Sequence, residues 1–267
     1  MPSSRWQPTL LIRIAIVLHL LALLAVIAEP GQWRWALGVV LANHALFMLA
    51  GLWPRSHWLG PNWTALPARA AARNEIALTI DDGPDPIVTP QVLDILDRYA
   101  VQASFFCIGE KAELHPDLCR EIVRRGHAVE NHTQHHRHHF ALLGRSGFIR
   151  ELQAAQDTLT RITGRSPLFF RAPAGLRNPF LDPALTRLGL NLVSWSARGF
   201  DTRIGDVARV KGRLIRGLRA GAILLLHDGN AARTPEGIPV ILEVLPTVLA
   251  AASTAKLRLV TLRQALS

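Results

Sequence analysis

Lysine is nearly missing from this chain. It occurs only at Lys111, Lys211 and Lys256, so arginine carries almost all of the positive charge. Basic residues outnumber acidic ones 30 to 20, a net charge of +10. Such a balance suits nucleic acid or an anionic membrane. There is no aromatic-rich basic strand and no dense basic helix, so no nucleic-acid partner is expected. A coding bias toward arginine would give the same excess with no partner at all. Cysteine is also scarce. Only Cys107 and Cys119 are present, with no Cys-x-x-Cys pair, which excludes a zinc knuckle. Cys107 lies in the apolar run 103–108 and reads as a core thiol. Cys119 falls in a helical pattern. Two free thiols are expected, with a disulfide as the other option. No internal repeat is visible, which excludes a solenoid.

What the sequence has in plenty is apolar residues, at 49%, concentrated in the first fifty positions. Residues 10–28 and 35–53 are two nearly unbroken apolar runs. Each approaches the roughly 20 residues that a membrane-spanning helix needs. Trp33, Trp35, Trp53 and Trp58 sit near the run ends, as interfacial aromatics do, and Arg13 can snorkel. Residues 29–32 form a turn, so the pair reads as a transmembrane hairpin. His19, Asn43 and His44 interrupt it and read as helix–helix hydrogen-bonding groups, with a proton relay as the rival. A cleaved signal peptide ending near Ala28 is the alternative for the first run. Arg5, Arg13, Arg55, Arg69 and Arg73 flank the outer ends, against Arg34 and Glu29 at the turn. The positive-inside rule then sets both ends on the cytoplasmic side of a bacterial-type inner membrane. A periplasmic domain requires one run not to span.

The expected organisation is a membrane hairpin over 1–56, a Pro/Ala/Arg-rich linker over 57–73, and a domain over 74–267. In that domain short apolar runs alternate with helical patterns. Strands are expected at 75–80, 103–108, 127–130, 168–170, 191–196, 222–226 and 257–261. Helices are expected at 89–99, 116–125, 147–163, 183–188, 207–218 and 236–251. Thr89 is expected to cap the first of these helices, with Pro90 at its first position. This βα alternation points to a mainly parallel α/β sheet, open or closed into a barrel. Asp81, Arg171 and His227 each fall at or just past a strand end, the edge on which sites of such folds assemble.

Several motifs carry chemistry. Thr79-Ile80-Asp81-Asp82-Gly83-Pro84 sets two carboxylates at a strand end. In extended chain their side chains point apart, so one can bind metal while the other serves as a base. In His132-Thr133-Gln134-His135-His136, the outer histidines are four apart, which brings both to one face of a helical turn and suits one metal ion. His135, His138 and His139 read as rim or surface residues. Arg171 opens Arg-Ala-Pro-Ala-Gly and can orient a carboxylate. The apolar strand 224–226 ends in His227-Asp228-Gly229.

Taken in order, these motifs resemble the polysaccharide deacetylase family, also called the NodB-homology family or carbohydrate esterase family 4, over roughly 74–265. The resemblance implies a distorted (β/α) barrel behind the hairpin. It implies a hydrolase of linear amide C–N bonds that removes an N-acyl, chiefly N-acetyl, group from an amino sugar. Asp81 matches the catalytic base, and Asp82, His132 and His136 the metal ligands. Arg171 matches the tether of the base, Asp201 the partner of the catalytic His, and His227 the acid. Leu225, Pro173 and Ala174 match substrate-pocket positions. The metal is a divalent ion, zinc by default, with cobalt, nickel or manganese as alternatives.

Two positions depart from the family pattern. Ala174 stands where an aromatic is usual, and Thr202 follows Asp201 where Trp is usual. Both losses alter the sugar-binding wall and leave the acid, the base and the metal set in place. With the hairpin, they point to an N-acetylated amino sugar on a membrane lipid carrier. The alternatives are an extracytoplasmic deacetylase of peptidoglycan, chitooligosaccharide or exopolysaccharide, and an inactive carbohydrate-binding module.

Overall fold

The structure, a computed structural model, describes residues 5–267; the first four residues of the expected hairpin span lie outside them. Helices α1 (Leu10–Ala28) and α2 (Trp33–Leu52) pair through a turn at Pro30–Gln32. Both are long and apolar enough to cross a membrane. Thr9 caps α1 and also donates to the Trp58 carbonyl at 2.8 Å. His19 and His44 do not bond across the pair. Each ring nitrogen meets the carbonyl four residues back on its own helix, and the two rings meet edge-on at 5.3 Å. An own-helix carbonyl is always in reach, whereas a cross-helix partner would need a matched polar group.

The stretch read as a linker is packed rather than loose. Trp63 lies parallel to Val193, and the Leu66 amide donates to the Gly221 carbonyl. A short helix, α3 (Ala68–Ala72), then leads into the sheet. Its bulky apolar neighbours, Trp63 and Leu66, cover a sheet end that would otherwise face water.

The strands are β1 (Glu75–Asp81), β2 (Ser104–Cys107), β3 (Ala128–Asn131), β4 (Phe169–Phe170), β5 (Asn191–Leu192), β6 (Ala197–Arg198), β7 (Ile223–His227) and β8 (Arg258–Val260). The helices between them are α4 (Val88–Arg98), α5 (Gly109–Leu114), α6 (Pro116–Arg124), α7 (Arg145–Thr163), α8 (Leu181–Leu188), α9 (Val207–Arg216) and α10 (Val240–Thr254). Every strand pairing is parallel, in the order β5-β4-β3-β2-β1-β7-β6, with β8 on the first half of β1. The sheet curls into a half-barrel. The strand expected over 191–196 is instead two short strands at opposite ends of this order. Val193 still donates to Phe170, while Ser196 donates to Ile223, so one continuous segment joins the two edges of the curl. A single straight strand could not reach both.

Two faces of β1 make two cores. Leu78 and Ile80, with Leu224 and Leu226, face the helices, where α4, α9 and α10 contribute Leu93, Val210 and Val244. Ala77, Phe106, Phe169 and Ile223 fill the inside of the curl. Most expected elements recur, with further differences besides the split strand and α3. Helix α5 is additional to them. Helix α4 begins at Val88, where Asp85 Oδ1 accepts from the Ile87 and Val88 amides, and Thr89 is buried inside it rather than capping it. Helix α10 begins at Val240, because 234–238 form a turn in which the Gly237 amide donates to the Thr234 carbonyl. Cys107 and Cys119 are free and buried.

The hairpin is seated on the domain. Gly51 of α2 is buried against the Arg177 backbone, its carbonyl accepting from the Arg177 amide at 3.2 Å, with no room there for a Cβ. The Arg177 guanidinium donates to the Ser56 carbonyl, and Trp6 donates to Asp182 at 2.8 Å.

Leu224 is fully buried in the larger core. Leu224→Ala is expected to destabilise the full chain by about 2–5 kcal/mol. Denaturant unfolding in detergent, followed by tryptophan fluorescence, checks this; an unchanged midpoint would contradict the packing.

Candidate active site

Strand register assembles the site at the carboxyl edge of the sheet. Asp81 on β1 lies level with His227 on β7 and Phe106 on β2, and Asn131 on β3 lies level with Phe170 on β4. His132 and Arg171 are the next residues along β3 and β4, so they too emerge side by side. Alternation along the strands turns Thr79 and Asp81, and Leu225 and His227, to the inside of the curl.

Arg171 is buried beneath this edge, 1% exposed. Its guanidinium donates to Asp81 Oδ1 at 2.6 Å, Thr79 Oγ1 at 2.8 Å, the Ser194 carbonyl at 2.8 Å and the Val193 carbonyl at 3.2 Å. It also lies 4.2 Å from the Phe106 ring centre. Burial pulls its pKa down and the Asp81 charge opposes that.

Asp82 leaves the strand with φ +71°, in the left-handed region that Asp tolerates better than most residues. The two carboxylates therefore do not diverge as extended chain would make them. Both meet one cavity while keeping different partners. His132 Nε2 is 3.1 Å from Asp82 Oδ1 and 4.0 Å from Asp81 Oδ2, and His136 Nε2 is 3.3 Å from Asp82 Oδ1. The Asp82 carboxyl is raised by burial but lowered more by hydrogen bonding and charge from His132, so it stays ionised. Gly83 follows because Asp228 lies against it; a Cβ there would come within 2.5 Å of the Asp228 carboxylate.

The histidine pair does not lie on a helical turn. Residues 132–137 are irregular, with Thr133 at φ +70° and His136 at φ +49°. The loop is tied down by Thr133 N donating to Asn131 Oδ1, His136 N donating to Thr133 Oγ1, and Gly109 N donating to the Thr133 carbonyl. Four-residue spacing brings the rings together by a different route, 4.9 Å between centroids.

The three side chains fit a divalent ion. Their ligand atoms all lie within 4.8 Å of one another. His132 Nδ1 sits 2.8 Å from the Arg171 carbonyl, which only accepts, so Nδ1 carries a hydrogen and Nε2, on the side of Asp82 and His136, is the nitrogen that would ligate a metal. Burial and the neighbouring His132 lower the His136 pKa to about 4, which keeps its ring neutral and able to ligate.

His227 stands on the far strand. Asp201, fully buried, accepts from the His227 backbone amide at 2.7 Å and from its Nδ1 at 3.0 Å. Burial works against a charged imidazole, but the Asp201 charge and hydrogen bond outweigh it and raise the His227 pKa. Leu225 and Ala174 line the cavity of about 340 Å³ with His138, Trp195, Thr202, Arg198 and Arg203. Ala174 adopts φ +53° at the exposed rim. Pro173, expected in the pocket, is buried and not among the lining residues; its ring is part of the turn that presents Ala174.

Several participants carry no clear mark in the sequence. Asn230 donates to Asp82 Oδ2 at 3.2 Å, and Lys111 donates to the Asp82 carbonyl at 2.8 Å. Asp228 accepts from Thr89 Oγ1 at 2.5 Å and from the Gly229 amide, and burial raises its carboxyl to about 6. The run Asp228-Gly229-Asn230 is a turn signal beside the last motif and could have flagged Asn230. Nothing in the sequence marks Lys111. Of the other histidines, His127 is buried, accepts from the Ala103 amide and is lowered to about 4 by burial.

Comparison with known proteins agrees with this geometry. The family model described as polysaccharide deacetylase matches residues 68–193. A chitooligosaccharide deacetylase of Azorhizobium caulinodans is 37% identical over 160 residues, covering 59% of this chain and 75% of that protein. The chain belongs to the polysaccharide deacetylase family. A peptidoglycan-N-acetylglucosamine deacetylase of Bacillus cereus is 32% identical over 178 residues, 64% of this chain and 80% of that one. The solved Bc1960 peptidoglycan N-acetylglucosamine deacetylase superposes with a TM-score of 0.67 at 27% identity, covering 76% of this chain and 91% of that one. A family 4 acetyl xylan esterase from Clostridium thermocellum, solved with a cobalt ion, gives 0.63 at 27%, covering 72% and 89%. As a polysaccharide deacetylase the chain is a hydrolase, and the deacetylation for which its curated relatives are named breaks an amide C–N bond.

The Asp201–His227 pair yields a pH prediction. A raised folded-state pKa means the pair's stabilisation is complete below the ordinary His pKa of about 6.5 and is lost as pH rises through the raised value. Asp201→Asn should lower the His227 pKa in metal-free protein. Histidine NMR titration reads it, and an unmoved midpoint would refute the coupling.

Proposed function

We propose that this chain removes an N-acyl, chiefly N-acetyl, group from an amino sugar carried on a membrane lipid. The observation that carries the hydrolytic reading is the opposed setting of two proton-handling groups across one metal-ligand cluster. Asp81 is ion-paired with the Arg171 guanidinium, and Asp201 raises the pKa of His227. A divalent ion on Asp82, His132 and His136 would polarise the acyl oxygen and acidify water. Zinc suits this donor set, and cobalt, nickel or manganese are compatible with it.

The chain's own groups account for the rest. Asp81 takes a proton from the attacking water. The N–H of Ala174, a residue of the cavity lining, donates to the developing oxyanion. Leu225 bounds the space for the acyl methyl. His227 Nε2 hands a proton to the departing amine nitrogen, which leaves poorly as an anion. The products are a carboxylate and a free amino sugar. Arg171 and Asp201 position the base and the acid and touch no substrate.

The lipid-carrier reading is supported by the hairpin and by what the wall lacks. The end of α2 abuts the site: a Cβ on Gly175 would meet Pro54 at 2.6 Å and Trp195 at 2.8 Å, and Ser194 Oγ donates to the Pro54 carbonyl at 2.5 Å. The cavity wall is thus built on the point where the chain leaves the apolar helices. Ala174 and Thr202 leave that wall open where family members usually carry aromatics. The arginines at the hairpin ends favour a cytoplasmic face. A second reading, an extracytoplasmic deacetylase of wall polymer or chitooligosaccharide, is favoured by the names of the relatives. Purified protein offered lipid-linked N-acetylhexosamine and chitooligosaccharide decides between them, and turnover of the oligosaccharide alone defeats the lipid reading. A reporter fusion at the carboxyl terminus assigns the side.

Two variants separate the roles. Asp81→Asn is expected to lower kcat by about 10²–10⁴ with metal content unchanged. Asp82→Ala is expected to lose the metal itself, measured by elemental analysis of the purified protein. Full metal retention in Asp82→Ala, or normal turnover in Asp81→Asn, would overturn the assignment.

A further inference from the structure

One cation in the cavity wall has no task in the proposed reaction. Arg198 lies on β6, level with Leu225 on β7, and both line the cavity. Its Nε is buried and has no hydrogen-bond partner among the described residues. The neighbouring carboxylates are engaged elsewhere, Asp81 by Arg171 and Asp201 by His227 through both oxygens. What holds the Arg198 guanidinium is aromatic: its carbon lies 5.2 Å from the Trp195 ring centre and 4.9 Å from that of Phe200. Phe200 takes φ +63°, an unusual conformation for an aromatic residue, and its ring also meets Arg213 at 4.9 Å. The turn it opens carries Arg203, which is exposed and lines the same cavity.

A half-buried guanidinium without a counter-ion is unfavourable unless something that binds supplies the charge. Its planar fork matches a phosphate better than a hydroxyl. A neutral sugar polymer offers neither Arg198 nor Arg203 a charge partner. We propose that Arg198 and Arg203 form an anion subsite beside the Asp82–His132–His136 cluster, and that the amino sugar processed here bears a phosphate group. This rests on the reading of the site as an amino-sugar N-deacylase and adds what the sugar is attached to. A sugar phosphodiester on a lipid and a free sugar phosphate share this chemistry. The Pro54 contact with Gly175 favours the lipid.

The test is binding, which needs no turnover. Full-length protein in nanodiscs of neutral lipid, stripped of metal, is titrated calorimetrically with N-acetylglucosamine 1-phosphate and with N-acetylglucosamine. The phosphate should bind at least tenfold more tightly. That preference should fall to near parity in Arg198→Gln and be reduced in Arg203→Gln. Arg203 is exposed, so its variant keeps the test open if Arg198→Gln misfolds. Equal binding of the two sugars, no binding of the phosphate, or an unchanged preference in both variants overturns the subsite. Competition with polyprenyl-phosphate-linked N-acetylglucosamine separates the sources: displacement at tenfold lower concentration than the soluble phosphate supports the lipid, and parity overturns the lipid while keeping the phosphate. Metal-loaded protein that binds the phosphate yet releases no acetate from any acceptor would defeat the deacylase reading and leave the anion subsite standing.

Discussion

The buried Arg171 guanidinium is the interaction on which the rest depends. Its N–H groups reach Asp81, Thr79 and the carbonyls of Val193 and Ser194, so one side chain ties β1 to the segment that closes the curl. Its own carbonyl accepts from His132 Nδ1 and so sets the ring that faces Asp82. Thr79 extends the tie by donating to the Leu224 carbonyl at 2.6 Å. A cation so deep is stable only because these acceptors surround it; removing one partner of such a pair costs about 3–5 kcal/mol. The placement of the proposed base and the orientation of a proposed metal ligand are thus consequences of one buried cation.

Much of this is legible in the amino-acid sequence. Alternating βα runs imply parallel strands, and parallel strands put Asp81, Arg171 and His227 on one edge. Register then makes Asp81 and His227 neighbours with no further information. What the sequence hides has a common physical cause. Asp82, Thr133, His136, Ala174 and Phe200 all take positive φ without being glycine. Propensity disfavours that region for such residues by about 1–2 kcal/mol, so sequence reasoning assigns them extended or helical backbone. The divergence expected of Asp81 and Asp82 fails for this reason, and so does the helical turn expected of His132 and His136. The side chains still converge, because Gly109 N donates to the Thr133 carbonyl and His132 Nδ1 donates to the Arg171 carbonyl. Such contacts join residues far apart in the chain and leave no local pattern.

The segment 191–198 is another case. Its composition suits one strand, and its halves do form strands, but on opposite edges of the sheet. The short break between them carries Ser194 and Trp195. Ser194 gives its carbonyl to Arg171, and Trp195 walls the cavity. A continuous strand would have left the curl open and Arg171 with an unmet donor. The barrel's incompleteness and the site's completeness are the same feature.

Depth then separates chemistry from recognition. Asp81, Arg171, Asp201 and His227 are at most 6% exposed. At that depth a charge feels its partner strongly, which ties the proposed base to Arg171 and raises the pKa of the proposed acid. Ala174, Thr202 and Arg203 lie at the rim, where substitution leaves those pairs untouched. The rim is therefore free to change with the acceptor while the floor is not. In this chain Ala174 and Thr202 stand at the rim, the Arg198 Nε in its wall has no hydrogen-bond partner among the described residues, and Pro54 packs that wall against the apolar hairpin. These features are what support the proposed phosphate-bearing acceptor presented from a membrane surface.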